Sequence, residues 1–167
     1  SVVRPLTALK AHGVRVSTVP VGADGCVDPG LFASAMEPET RLAVCIHASN
    51  VSGLVQPVDR VASICREHGV AVLLDAAQTV GHLPFSVREL GVDFLAAPGH
   101  KGLLGPLGTG IAWIRSGLEE QVRSIREGGT GSQSELPSQP QTLPDKYESG
   151  NLNVPGLFGL AAGVEWV

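Results

Sequence analysis

The chain has 167 residues, 43% of them hydrophobic, which is enough for a domain with a substantial core. Twelve Lys plus Arg against sixteen Asp plus Glu give a formal charge of -4 with no dense basic stretch, which argues against a nucleic-acid partner. No apolar run reaches the roughly 18 residues of a membrane span and no basic-then-apolar leader opens the chain, so a soluble cytoplasmic protein without a membrane partner is expected.

In chain order, SVVRPLTALKAHG has apolar positions at helical spacing and a glycine stop at Gly13, and reads as the tail of a helix. VRVSTVP at 14–20 has the β-branched content and alternation of a short strand. Asp28 and Pro29 have the cap and first-turn chemistry of a helix over 28–36. The continuous apolar run 42–47 predicts a parallel strand covered on both faces by helices. After the loop ASNVSGLVQP, Pro57 opens a helix to about His68 with Val58, Val61, Ile64 and Cys65 on one side, and Gly69 ends it. A second apolar strand at 70–74 completes a β-α-β unit with an expected right-handed crossover.

Residues 86–90 read as a helical turn, 92–96 as a strand, and 109–114 as a further strand, antiparallel because only a tight glycine-rich loop precedes it. Ser116 is placed to cap a helix to about Ile125. The Gly, Ser, Gln and Pro-rich stretch 128–146 predicts an excursion across the surface, and Val154 to Val167 a helix with Pro155 at its start. Both ends break off within helical patterns, so residues are expected to be missing on either side. The class is α/β with a mostly parallel sheet.

Cys26, Cys45 and Cys65 form no CxxC pair; Cys45 and Cys65 fall on apolar positions and are expected in the core, Cys26 in a loop. The histidines lack zinc spacing, and no metal site is expected. Chemistry concentrates at the carboxyl ends of three strands, where open α/β sheets bind ligands: Asn50 after 42–47, Asp75 with Gln78 after 70–74, and His100-Lys101 after 92–96. Asp75 can cap a helix or hold a cationic ring nitrogen protonated, and small Ala76 and Ala77 would let a flat ring approach. Lys101, fixed among glycines, is either a solvated loop residue or a Schiff-base amine. His100 can neighbour that amine or bind phosphate, and Asn50 can form a local Asx-turn or donate to a ligand oxygen. The loop GHKGLLGPLGTG is not a Walker loop, because Gly102 follows Lys101 where a hydroxyl residue is required.

The stretches HASNVSGLVQPV (47–58), VLLDAAQTVGHLPFSV (72–87), LGVDFLAAPGHKGLLGPLGTGIAWI (90–114), EGGTGS (127–132) and YESGNLNVPGLFGLAAGVEWV (147–167) resemble the fold-type I pyridoxal-phosphate enzymes of aminotransferase class V, and within them the cysteine desulfurase and selenocysteine lyase group. The resemblance implies a three-layer sandwich, the large domain of an aspartate-aminotransferase-like fold. Residues 1–167 would be part of that domain, with its N-terminal part and the C-terminal small domain absent and this fragment inactive alone. It further implies pyridoxal 5'-phosphate as cofactor, with Lys101 as its Schiff-base lysine and proton shuttle, Asp75 on the ring nitrogen, Gln78 and Asn50 near the phenolic oxygen, and His100 on the phosphate. Asn151 stands where the family's Gly-Thr-x-Asn stretch supplies a threonine to the phosphate of a second subunit, so a homodimer is implied.

Pro98 departs from the pattern too, since many members have a phosphate-binding hydroxyl there and proline offers neither hydroxyl nor N–H. The implied activity is removal of sulfur from L-cysteine, giving alanine and an enzyme persulfide that a sulfur-acceptor protein could take toward iron-sulfur clusters. None of the three cysteines matches the family's persulfide cysteine. Another class V activity on a small amino acid (selenocysteine lyase, C–S lyase, epimerase or aminotransferase) is the first alternative, and a truncated non-catalytic member of the fold the second.

Overall fold

A computed structural model describes residues 2–167. The elements follow in the order α1 (Val3–Lys10), α2 (Pro29–Ala35), β1 (Leu42–Ile46), α3 (Val58–Glu67), β2 (Ala71–Asp75), α4 (Val87–Leu90), β3 (Phe94–Pro98), β4 (Gly110–Ile114) and α5 (Val154–Trp166), with one 3-10 turn at Glu119–Gln121. The sheet order is β1-β2-β3-β4; the first three strands are parallel and β4 is antiparallel to β3, as its tight connection predicts. Asp28 caps α2 by accepting from the Gly30 N–H at 2.9 Å, with Pro29 in the first turn, where its missing N–H costs nothing.

The apolar stripe of α3, Val58, Val61, Ala62 and Cys65, is buried in one cluster with Ala43, Cys45, Val72, Leu74 and Leu95 of the strands. Phe32 and Met36 pack onto its rim. Within residues 2–167 burial alternates along the strands: Ala43 and Cys45 are buried while Leu42 and Ile46 are exposed, and Val72 and Leu74 are buried while Ala71, Leu73 and Asp75 are half-buried. Side chains on a strand point alternately to opposite faces, and among the described residues α3 covers one of them, packing on β2. Asp75 belongs to the other.

Two predicted elements do not form. Residues 14–20 are irregular, because a strand needs a partner and the nearest pairing is a single bridge between Val21 and Val27. Arg15 there pairs with Glu37 and Glu39 instead. The helix expected from Ser116 to Ile125 reduces to the 3-10 turn: Gly117 takes a left-handed backbone (φ 90), and Ile125, fully exposed, has no surface to pack on. The stretch 128–146 crosses the surface as predicted, and is tied down by Lys146 Nζ and Tyr147 OH, which both donate to the carbonyl of Glu119 at 2.6 and 3.1 Å. Among the described residues no helix is long and apolar enough to cross a membrane, and no group of three or more His, Cys, Asp or Glu could hold a metal ion.

Leu74 is wholly buried in the central strand β2. Leu74→Ala is expected to lower unfolding free energy by about 2–5 kcal/mol, as cavities of this kind do, measured by urea denaturation. A loss under about 1 kcal/mol would mean that this strand is not the centre of the core.

Candidate active site

Asp75 is the last residue of β2, in register with Ile46 on β1 and Ala96 on β3. Ala96 is exposed and Ile46 is 42% exposed, so a small methyl lies beside the carboxylate on the face away from α3. The chain then winds into a helical turn: Thr79 and Val80 N–H donate to the Ala76 carbonyl at 3.0 and 3.1 Å, and His82 and Leu83 N–H to that of Thr79 at 2.9 Å each. Asp75 Oδ1 accepts from the Ala77 N–H at 3.1 Å, so the carboxylate does cap this turn locally. Ala76 is wholly buried and turned into the core, which corrects the expectation that it opens space for a ring; Ala96 on the neighbouring strand fills that role. Gln78 is half-buried in the same turn.

Lys101, half-buried, lies in the loop between β3 and β4. That loop is closed by main-chain bonds: Gly99 N–H to the Thr109 carbonyl (2.8 Å), Gly105 N–H to that of Gly99 (2.8 Å) and Leu104 N–H to that of Lys101 (2.9 Å). Leu104 has a left-handed backbone (φ 55), a strained state for a leucine that the surrounding bonds enforce. His100 is exposed on the same loop. Pro98, the last residue of β3, brings no hydroxyl, and the nearby Thr109 hydroxyl is engaged with the Pro106 carbonyl at 2.6 Å.

The Asp75 turn and the Lys101 loop meet backbone to backbone. A Cβ on Gly81 would overlap the carbonyl of Gly102, and one on Gly102 would overlap the carbonyl of Val80 and crowd the His82 ring. Helix α5 presses the Lys101 loop from another side: a Cβ on Gly163 would overlap the Leu103 carbonyl, and Gly159 faces the ring of Pro106. Asn153 caps α5 through the Gly156 N–H at 3.2 Å. Asn151, two residues ahead of that cap, is exposed.

Asn50 is exposed in the turn after β1. The local capping expected of it is done by Ser49, whose hydroxyl accepts from the Val51 and Ser52 N–H groups at 3.2 Å each. Asn50, Asp75 with Gln78, and His100 with Lys101 therefore all follow the carboxyl ends of three adjacent parallel strands. Sequence reading missed His47, Thr79, Ala96 and the contact of Gly81 with Gly102. The glycines were visible as flanking residues, but nothing in the sequence marked their contact, nor the 2.9 Å approach of His47 Nδ1 to Thr79 Oγ1.

The groups present suit pyridoxal phosphate: a carboxylate for a pyridinium, an amine one strand over for an aldehyde, amides for a phenolic oxygen, an imidazole for phosphate. Two of the three thiols do not suit nucleophilic work: Cys45 and Cys65 are buried as expected, and burial pushes both up to about 11, so they are protonated at neutral pH.

The model of the aminotransferase class-V family matches residues 1–167, and the chain belongs to that family. Among its relatives, a probable cysteine desulfurase of Methanothermobacter thermautotrophicus is 37% identical over 166 residues, 98% of this chain and 41% of the relative. The solved structure of the Escherichia coli cysteine desulfurase CsdA has a TM-score of 0.87 and 31% identity, covering 99% of this chain and 42% of that one. A structure of SspA in complex with cysteine has a TM-score of 0.85 and 26% identity, over 98% and 44%. The chain thus spans about two-fifths of the length of these relatives.

Two outcomes test the geometry. Gly81 and Gly108 share a left-handed backbone (φ 81 and 80), but only Gly81 has a neighbour where its Cβ would be. Gly81→Ala is therefore expected to cost about 1–3 kcal/mol more than Gly108→Ala in urea denaturation, the usual penalty of overpacking; equal costs would mean the two loops part freely. His47 is held below its ordinary 6.5 by burial. Above that value both folded and unfolded imidazoles are neutral and stability is complete; as pH falls through it the unfolded chain takes the proton first, and stability drops. Denaturation at about pH 7.5 and about pH 5.5 should show that drop in the native sequence and a smaller one in His47→Asn.

Proposed function

We propose that this chain is the cofactor-bearing part of a pyridoxal-phosphate enzyme that removes sulfur from L-cysteine, leaving alanine and an enzyme persulfide. The observation that supports this most is the pairing of Asp75 and Lys101 on adjacent strand ends, tied together by the Gly81–Gly102 contact, in a chain that matches the class-V family throughout. The cysteine desulfurase names of its relatives and the cysteine bound to SspA favour cysteine as the substrate. The coverage of two-fifths of those relatives supports reading residues 1–167 as part of a large domain, with an N-terminal part and a small C-terminal domain completing the whole protein.

Pyridoxal phosphate, when bound, supplies a ring that takes up the electron pair left when the substrate loses its Cα proton. In this reading Lys101 Nζ would hold the cofactor through its aldehyde, and the freed amine would be the base that takes and returns the substrate's Cα proton. The Asp75 carboxylate keeps the ring nitrogen protonated, and its mounting at a strand end means no reorganisation is needed when charge develops. Gln78 and Asn50 would donate to the phenolic oxygen, Asn50 also to the substrate carboxylate; His100 would donate to the phosphate, and Asn151 to the phosphate held by a second subunit of a homodimer. Sulfur would pass to an attacking thiolate outside this chain as the Cβ–S bond breaks, the electron pair of that bond ending, with a proton, as a C–H bond of alanine; Cys45 and Cys65 are buried, and Cys26 does not match the family's persulfide position. A cytoplasmic location and a sulfur-acceptor protein complete the proposal.

The test is spectroscopic and chemical. Full-length protein with pyridoxal phosphate is expected to show a visible absorbance band that Lys101→Ala abolishes, and mass spectrometry after adding L-cysteine should find alanine and a persulfide. The same variant should reduce kcat by about 1,000-fold or more, as loss of a covalent and proton-transferring group does. A band without alanine or persulfide would point to another class-V reaction, and no band would overturn the proposal.

A further inference from the structure

His47 and Thr79 are buried polar side chains beside the Asp75 turn that the function proposed above does not use; they are 5% and 0% exposed. Their Nδ1 and Oγ1 atoms are 2.9 Å apart. With the Thr79 hydroxyl donating to the Ala76 carbonyl at 3.4 Å, it accepts from His47 in the tautomer that carries its proton on Nδ1. Phe85 closes the imidazole in edge-on, with ring centroids 4.7 Å apart and planes at 88°. The main chain of His47 is pinned as well: its N–H donates to the Asp75 carbonyl and its carbonyl accepts from the Gln56 N–H, both at 2.9 Å. One residue just past β1 therefore grips the turn twice, at residue 75 by backbone and at residue 79 by side chain.

We propose that His47 is a positioning residue: the His47–Thr79 pair staples the 75–79 turn to the end of β1 and thereby sets how Asp75 and Gln78 meet the cofactor ring. This rests on the pyridoxal-phosphate reading above. The physical ground is where the turn is anchored. Its start is tied to β3 by the Ala76 N–H, which donates to the Ala96 carbonyl at 3.0 Å, and its far end is held by the steric fit of Gly81 against Gly102; between these two, the His47–Thr79 bond is the side-chain tie to the end of β1. A neutral imidazole suits the task, because it donates one directed bond without placing a charge beneath the carboxylate.

The experiment uses full-length protein and Thr79→Val, which keeps shape and burial but removes the hydroxyl. Thr79→Ser restores the hydroxyl, and His47→Asn keeps a donor near the Nδ1 position. In cofactor-free protein, amide exchange at residues 76–80 is expected to speed up about 10-fold in T79V, the mark of a loosened local unit. With cofactor, T79V should bind pyridoxal phosphate about 10-fold more weakly, shift the visible band, and lose about 10-fold in kcat on L-cysteine with KM changed less than about twofold, since misplacing a catalytic group acts on the transition state. T79S and H47N should stay close to the native values. Unchanged exchange in a folded T79V overturns the staple, and faster exchange with unchanged affinity, band and kcat overturns its role toward the cofactor. If the native protein shows no band, the functional reading and the cofactor half of this proposal both fall, while exchange alone still decides the staple. If T79V does not fold, Thr79→Cys, of similar size with a weak sulfur acceptor, reads the same quantities.

Discussion

The Gly81–Gly102 contact governs the rest of the site because it sets how closely the loop after β2 and the Lys101 loop approach each other. Each glycine leaves room for the other's main chain, and any Cβ at either position would overlap a carbonyl or crowd a ring. The strand register alone places Asp75 beside Ala96 on β3; it does not say how far beyond the sheet the following loop travels. The glycine pair supplies that second coordinate and so brings the Lys101 loop against residues 80–82, beyond the end of β2. Helix α5 then bears on the far side of the loop through Gly159 and Gly163, so Lys101 is held between two small-residue contacts.

Among the described residues one face of the sheet packs against the apolar stripe of α3, and Ile46, Asp75 and Ala96 lie in register on neighbouring strands. At the end of β2, the Asp75 carboxylate is in register with the small side chain of Ala96 on β3. The polar pair His47 and Thr79 is buried but mutually satisfied, and no buried side-chain nitrogen or oxygen among the described residues lacks a partner.

The carboxyl ends of β1, β2 and β3 deliver Asn50, the Asp75 turn and the Lys101 loop to one edge. This is the usual economy of an open parallel sheet, in which the strands provide rigidity and the loops provide chemistry. The turn after β1 is capped by the Ser49 hydroxyl, which leaves the neighbouring Asn50 exposed.

The parallel strands, the crossover helix and the antiparallel return of β4 were legible in the sequence, since they follow from hydrophobic periodicity, glycine and proline punctuation and connection length, all local properties of the chain. Asp75, Lys101, Asn50 and His100 were also visible, because polar residues that interrupt or follow apolar runs mark strand ends. The strand expected at 14–20 and the helix expected after Ser116 failed because local preference needs a partner surface, and neither segment finds one. Tertiary structure alone decided that Ala76 faces the core and Ala96 the side away from α3, that Gly81 meets Gly102, and that His47 bonds Thr79 across 32 residues. Contacts between segments far apart in the chain depend on how strands register and loops return, and no short-range pattern carries that information.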